Sequence, residues 1–249
     1  MLTDTHCHLT KEFFQDIDTI IDNAKMSGVE RYISAADSIA SSKEMVLLGE
    51  KYKDIYITLG IHPENCLDSL DDIANIIEEN KNNSKFVAIG EIGLDYYYGK
   101  ENRLRQIEVF EFQLSLAEKY NLPVVVHSRE ATLDTLKSLK KFNVKGVMHC
   151  FSGSLETAKE LIKMGFYIGV GGVMTFKNSK IDEIIKDIPL SRIVLETDSP
   201  FLTPEPYRKY SNEPKYIKII AEYLANIKHI DVLEVEKETE NNVKEMFFI

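Results

Sequence analysis

The sequence predicts an α/β fold, one (β/α)8 barrel filling residues 1–249 with its chemistry at the carboxyl ends of the strands. Three observations carry that expectation. Short apolar runs rich in Val and Ile recur eight times; longer stretches with apolar residues three or four apart separate them; and the first run ends in His-Cys-His, where an open doubly wound sheet would favour a glycine-rich turn. The length of 249 residues suits one large barrel or two small domains, and the unbroken alternation, with no low-complexity linker, favours the barrel.

In chain order the runs are Leu2 to His6, Arg31 to Ala35, Ile55 to Gly60, Phe86 to Gly90, Pro123 to His127, Gly146 to Cys150, Phe166 to Val170 and Ile193 to Asp198. Each is too short for an independent helix, and the β-branched content suits strands covered on both faces. Helical spacing marks residues 68–80, 103–120, 131–142, 154–164 and 179–187. In 103–120, Leu104, Ile107, Phe110, Leu114 and Ala117 form one apolar stripe. Ser154 is placed as an N-cap, with Thr157 where a full capping box would have Glu. Asn212-Glu213-Pro214 reads as a helix start, because proline is tolerated in a first turn.

The formal net charge of −10 argues against a broad nucleic-acid-binding face, since phosphate neutralisation needs clustered Lys and Arg. It leaves room for a nucleic acid held by metals and a few local cations, with weak, salt-sensitive affinity. The three cysteines, Cys7, Cys66 and Cys150, are an odd set without paired spacing and read as reduced thiols. The N-terminal MLTDTHCHLT has no basic segment followed by an apolar run, and no stretch approaches the ~18 apolar residues of a membrane span. The expected location is the cytoplasm, with no membrane association and no obligate protein partner.

The chemistry gathers at the ends of the runs. His6 and His8 are two apart on the first strand, so both side chains face one way and Cys7 the other. Glu91 follows the fourth run, His127 ends the fifth, His149 ends the sixth before Cys150, and Asp198 ends the eighth. In a barrel these positions converge on one rim. For any single histidine a hydrogen-bonded core role is the better reading; for six ligand-type residues at one depth it is not. His229 falls in a C-terminal helical stretch as a surface residue. Four imidazoles and two carboxylates suit Zn²⁺, Mn²⁺, Fe²⁺ or Co²⁺, and Mg²⁺ less comfortably. Six ligands are too many for one tetrahedral ion, so the expectation is two divalent ions (Zn, Mg or Mn) bridged by Glu91. Asp198 is expected to bind metal and to take the proton of the attacking water, which makes Asp198 and Glu91 the catalytic candidates. Glu196 shares the face of Asp198; of two roles, orienting a ligand or pairing with a cation lower in the barrel, a structural role is favoured. Arg129 is a cation beside His127 that can bind substrate, cap the next helix or pair locally. Tyr96, Tyr97 and Tyr98 can stack on a base or serve as packing.

DTHCHL (Asp4 to Leu9), GIHP (Gly60 to Pro63), GEIGLDYY (Gly90 to Tyr97), VVHSREA (Val125 to Ala131), HCFSGS (His149 to Ser154), ETDSPFLTP (Glu196 to Pro204) and NEP (Asn212 to Pro214) resemble, in that order, the motifs of the TatD family of metal-dependent hydrolases. ENNVKEMF resembles that family's closing helix. The resemblance runs through almost the whole chain. It implies a TIM barrel and a deoxyribonuclease, including 3′-to-5′ exonuclease action. It further implies that His6, His8, Glu91 and Asp198 surround one metal and Glu91, His127 and His149 the other, and that His62, at the end of the third run, contacts a phosphate or leaving group; a hydrogen bond that supports a ligand is the equal alternative for His62. The family commonly carries Pro-x-Arg-Gly-Lys-x-Asn-Glu-Pro where this chain reads PYRKYSNEP. Arg208 is kept as a phosphate contact; the altered loop bears on substrate preference.

The leading expectation is therefore a phosphodiesterase acting on single-stranded DNA or 3′ ends. The alternative is an ester or amide hydrolase, such as an aminoacyl-tRNA deacylase; many such enzymes place a lysine on the fourth strand, where this chain has Glu91. A catalytically silent scaffold would have lost ligands, and the full set is present.

Overall fold

The computed structural model describes residues 1–249. Eight parallel strands are hydrogen-bonded in sequential order: β1 Leu2–Cys7, β2 Val29–Ala35, β3 Ile55–Leu59, β4 Phe86–Asp95, β5 Val124–Arg129, β6 Gly146–Met148, β7 Tyr167–Val170 and β8 Ile193–Leu195. The helices between and after them are α1 Ile17–Met26, α2 Ile39–Lys51, α3 Leu70–Asn80, α4 Arg103–Tyr120, α5 Thr132–Leu139, α6 Leu155–Lys163, α7 Ile181–Ile185, α8 Ile217–Lys228 and α9 Val232–Phe247. This is the TIM barrel that the alternation of runs predicts. The sheet closes at its carboxyl end, where Asp198 N–H donates to the His6 carbonyl at 2.9 Å and His8 N–H to the Ser199 carbonyl at 2.8 Å. The seam is thus sealed by the residues that carry the chemistry.

Several boundaries differ from the sequence expectation. β4 runs five residues past Gly90 to Asp95, with a register shift against β5 between Ile89 and Ile92. Glu91 therefore lies inside β4 rather than after it, and β5 continues two residues past His127, which was expected to end it. β6 and β8 are three residues each, so His149 lies one residue and Asp198 three residues beyond the ladder. α1 and α2 fall outside the stretches marked by helical spacing and are instead delimited by their caps. The Asp16 side chain accepts from Thr19 N–H, and Ser38 with Ser41 forms a capping box. The 179–187 stretch is helical only over Ile181–Ile185. Pro214 opens a short 3-10 turn, Pro214–Tyr216, that leads into α8. His229 is exposed in a left-handed conformation after α8, as a surface residue. No helix is long and apolar enough to cross a membrane.

Two apolar layers hold the site in place. The larger packs the helices against the outside of the strands and includes Tyr32, Phe110 and Phe166, all fully buried. The smaller contains Ile33, Val125, Val147, Tyr167 and Val194 together with Val243, Met246 and Phe247 of α9. Strand alternation puts Val125 on the face of His127, Val147 on that of His149, and Val194 on that of Glu196 and Asp198. The barrel interior is thus apolar below the candidate ligands, and α9 closes its amino-terminal end. There Asn242 Nδ2 donates to the carbonyls of Leu190 and Ile193, while Glu240 accepts from Thr3 Oγ1 and pairs with Arg31.

Candidate metal centre

Each strand delivers its polar residue by a local rule. Along β1 the alternation places Asp4, His6 and His8 on one face; Cys7 points away, its Sγ 3.6 Å from the Ile33 carbonyl. The irregularity in β4 turns Glu91 inward, and Glu91 N–H is held at 2.7 Å by the Ala36 carbonyl. Asp198 has φ +58, a left-handed conformation that Asp tolerates better than most residues. Asp4 ties β1 to the loop after β8 by accepting from Thr197 N–H and Oγ1.

The two oxygens of Glu91 face different imidazoles. Oε2 lies 3.3 Å from His6 Nε2 and 3.7 Å from His8 Nε2. Oε1 lies 3.0 Å from His127 Nδ1, 3.2 Å from His149 Nε2 and 3.6 Å from His62 Nε2. Asp198 Oδ1 adds to the first group, 3.5 Å from His8 Nε2 and 3.7 Å from His6 Nε2. Donors about 2.1 Å from one tetrahedral ion lie roughly 3.4 Å from one another, so these separations suit metal ligation. Three overlapping sets have ligand atoms within 4.8 Å of each other: His6, His8 and Glu91; His6, His149 and Asp198; and His62, Glu91 and His127. All six sequence-derived ligand candidates are therefore brought together, and His62 joins them.

The outward ring nitrogens are anchored. His8 Nδ1 is 3.2 Å from the Ala35 carbonyl, and His127 Nε2 is 3.1 Å from Asp95 Oδ2. A carbonyl or carboxylate there accepts, so the proton sits outside and the inner nitrogen keeps its lone pair, as metal-bound imidazoles require. His149 Nδ1 is 3.3 Å from Glu196 Oε1, close enough for ion pairing though not aligned for a hydrogen bond. The same Glu196 oxygen accepts from Cys150 N–H. Glu196 thus orients a candidate ligand and does not pair with a cation lower in the barrel. Gly169 makes this possible, because a Cβ there would lie 2.5 Å from Glu196 Oε2. His6 Nδ1 is buried without a partner; its ring stacks on His149 at 3.9 Å between centroids. His62 differs from the rest. It caps the 3-10 turn Pro63–Asn65, and Glu64 N–H donates to its Nδ1. Its neutral ring therefore presents Nε2–H, a donor, to the pocket.

The charges follow from this packing. Burial works to raise Glu91, but the surrounding imidazoles, His149 foremost, hold it well below the ordinary carboxylate range. Burial likewise raises Asp198, and the His8 hydrogen bond with the nearby imidazoles more than offsets it. Burial pushes His62 down to about 4. In His149 burial is outweighed by the carboxylates of Glu91 and Glu196, which hold its proton well above the usual range. The cluster therefore keeps two ionised carboxylates in a buried setting and draws positive charge to its centre, which is the chemistry of a cation site.

The two arginine candidates each lie over an aromatic ring. Arg208 is exposed, donates from Nη1 to the Thr203 carbonyl at 3.0 Å and lies 4.0 Å over the Phe176 ring. Arg129 neither caps α5 nor pairs with an acid; its Cζ stands 3.5 Å over the Tyr97 ring. Asp95 is a functional residue that the strand-end pattern does not single out. The signal was there: Glu91, Gly93 and Asp95 alternate along β4, but ending the strand at Gly90 hid the pattern.

Over its whole length the chain is similar to known proteins. The family described as "TatD related DNase" matches residues 3–248. A protein of Bacillus subtilis (strain 168), named "Uncharacterized metal-dependent hydrolase YabD", is 42% identical over 100% of both chains. The human "Deoxyribonuclease TATDN3" is 34% identical over 99% of this chain and 94% of its own. The crystal structure of YJJV, a TatD homolog from Escherichia coli K12, superposes with a TM-score of 0.93 at 30% identity, covering 100% of this chain and 98% of the other.

Proposed function

The chain belongs to the TatD-related DNase family and is a metal-dependent hydrolase; from that premise we propose that it is a DNA phosphodiesterase with a two-ion centre, trimming single strands from their 3′ ends. The observation that carries this reading is the division of Glu91, with Oε2 toward His6 and His8 and Oε1 toward His127 and His149. One carboxylate serving two donor groups is the arrangement of a bridge. His6, His8, Glu91 and Asp198 would hold one ion, and Glu91, His127 and His149 the other.

Divalent ions held there supply Lewis acidity toward water and toward the phosphate oxygens. The protein does the rest. Asp198, kept ionised, accepts the proton of the attacking water at its carboxylate. His62 presents Nε2–H to a phosphate oxygen, which fixes the diester relative to Glu91. A barrel mouth admits a strand end more readily than an intact duplex. The name of the human relative supports DNA as substrate, and the three unpaired cysteines support a reducing, cytoplasmic setting.

The test is an activity panel in Mg²⁺, Mn²⁺ and Zn²⁺ on end-labelled single-stranded DNA, duplex DNA, RNA and an aminoacyl-tRNA. Stepwise shortening of single-stranded DNA from the 3′ end is expected. Deacylation of the aminoacyl-tRNA with DNA untouched would replace the nuclease reading with the esterase one.

A further inference from the structure

The loop after β4 holds three tyrosines that the metal centre does not use, and the structure separates them. Tyr96 is 5% exposed and its hydroxyl donates to Asp134 Oδ2 at 2.8 Å, so it packs. Tyr97 is 51% and Tyr98 75% exposed. Two aromatic rings left in water forgo the burial that makes such side chains valuable in a core. They are not loosely held. Tyr97 N–H donates to Asp95 Oδ1 at 2.8 Å, and Tyr96 N–H donates to the Arg129 carbonyl at 3.0 Å. The rings meet edge to face at 4.9 Å, and Arg129 stands over Tyr97 with its Cζ 3.5 Å from the ring centroid. The result is an exposed cation–aromatic stack on a fixed backbone.

Its position ties it to the metal centre. In the β4–β5 ladder Gly93 pairs with His127 and Asp95 with Arg129. Arg129 is two residues beyond His127 on one strand face, hence about 7 Å nearer the mouth. Asp95 links the two levels, since one oxygen holds the His127 ring and the other holds the Tyr97 backbone. A molecule whose phosphate sits at Glu91 and His62 has its adjoining group at the level of this stack. The chain has a net charge of −10 and can draw little affinity from phosphate neutralisation alone. Stacking on aromatic and guanidinium faces needs no net positive surface and accepts any base.

We infer that Tyr97, Tyr98 and Arg129 form a nucleobase-stacking platform that seats the nucleotide adjoining the scissile phosphate. The inference rests on the nuclease reading and adds to it the means by which an acidic barrel holds a single strand. It implies weak sequence preference and a portion of the affinity that salt does not remove.

The test uses the metal-loaded enzyme with single-stranded oligonucleotides of about eight nucleotides, either intact or carrying abasic tetrahydrofuran units near the 3′ end. The Tyr97→Ala/Tyr98→Ala double variant is expected to raise KM on the intact strand about tenfold, the size of one lost stack, with kcat held within about twofold. The Tyr97→Phe/Tyr98→Phe variant keeps the rings and is expected to match the parent. On the abasic strand, parent and alanine variant should converge. An unchanged KM, or an equal loss on intact and abasic strands, overturns the platform. If the parent hydrolyses no DNA, the nuclease reading fails separately. Anisotropy of a labelled oligothymidine in chelator then decides the platform: a tenfold weaker Kd in the alanine variant at both low and high salt supports it, and no parent binding overturns it.

Discussion

Glu91 is the residue on which the centre turns, because both of its oxygens are engaged and it is buried among five imidazoles. Glu91→Ala is expected to lower kcat by about a thousandfold or more, corresponding to several kcal/mol of lost charge stabilisation, and to reduce the bound metal below two ions per chain. Elemental analysis and turnover measured on one preparation check both, and near-normal turnover would sink the bridge. Asp95 acts through His127. Asp95→Ala frees the His127 ring and is expected to weaken metal affinity by roughly 10- to 100-fold, the usual cost of losing such a support. Competition with a chromogenic chelator measures this, and an unchanged affinity would show that the ring is fixed by packing alone. His6 to Asp198 were readable as ligand types from the sequence. For Glu196 the sequence left two roles open, and for Asp95 it showed only a place on the face of Glu91; which ring nitrogen each meets is decided across strands.

Among the elements, α9 shows how a segment remote from the chemistry supports it. Met246 and Phe247 fill the amino-terminal end of the barrel beneath the valines that underlie the ligands. Phe247→Ala should destabilise the fold by about 3 kcal/mol, as large-to-small core substitutions do, while metal content stays at the parental value. A urea titration paired with metal analysis tests this, and loss of metal at full stability would contradict the plug role. α4 and α5 are joined by Asp134, which accepts from Arg103 Nε at 2.8 Å and Nη2 at 3.1 Å and from the Tyr96 hydroxyl. Arg103, then Tyr96, hold the Asp134 carboxyl below its ordinary range. A carboxyl with a lowered folded-state pKa stabilises above its unfolded value, and that contribution disappears as pH falls through the folded one. Asp134→Asn is therefore expected to lower Tm near neutral pH, with the difference vanishing in acid below the ordinary carboxylate range. A deficit that persists at acid pH would mean the pair contributes shape rather than charge. Most elements were legible from periodicity, as the match of α4 to residues 103–120 shows. The extent of β4 was not, because the apolar run FVAI stops at Gly90 and the alternation that continues through Ile92 and Leu94 carries only two apolar residues between Glu91, Gly93 and Asp95.

The barrel as a unit is closed by the same residues that form the centre, so cation binding and folding are coupled. An ion that binds only the native state stabilises it by about 4 kcal/mol at a thousandfold excess over its Kd, and for a chain of this size that is on the order of 10 °C in Tm. Chelation is expected to produce a drop of that order, reversed by adding Zn²⁺ or Mn²⁺; identical melting with and without chelator would disconnect the cluster from metal. The order of strands, the inward face of β1 and the identity of six ligand candidates follow from local pattern, because alternation and apolar period are properties of neighbouring residues. The tautomers of the imidazoles, the turning of Glu196 onto His149, the recruitment of His62 beside Glu91, the stacking of Arg129 on Tyr97 and the engagement of Arg208 with Thr203 and Phe176 do not. Each is set by contact between side chains and carbonyls from segments far apart in the chain, and those distances exist only once the eight strands have closed into a ring.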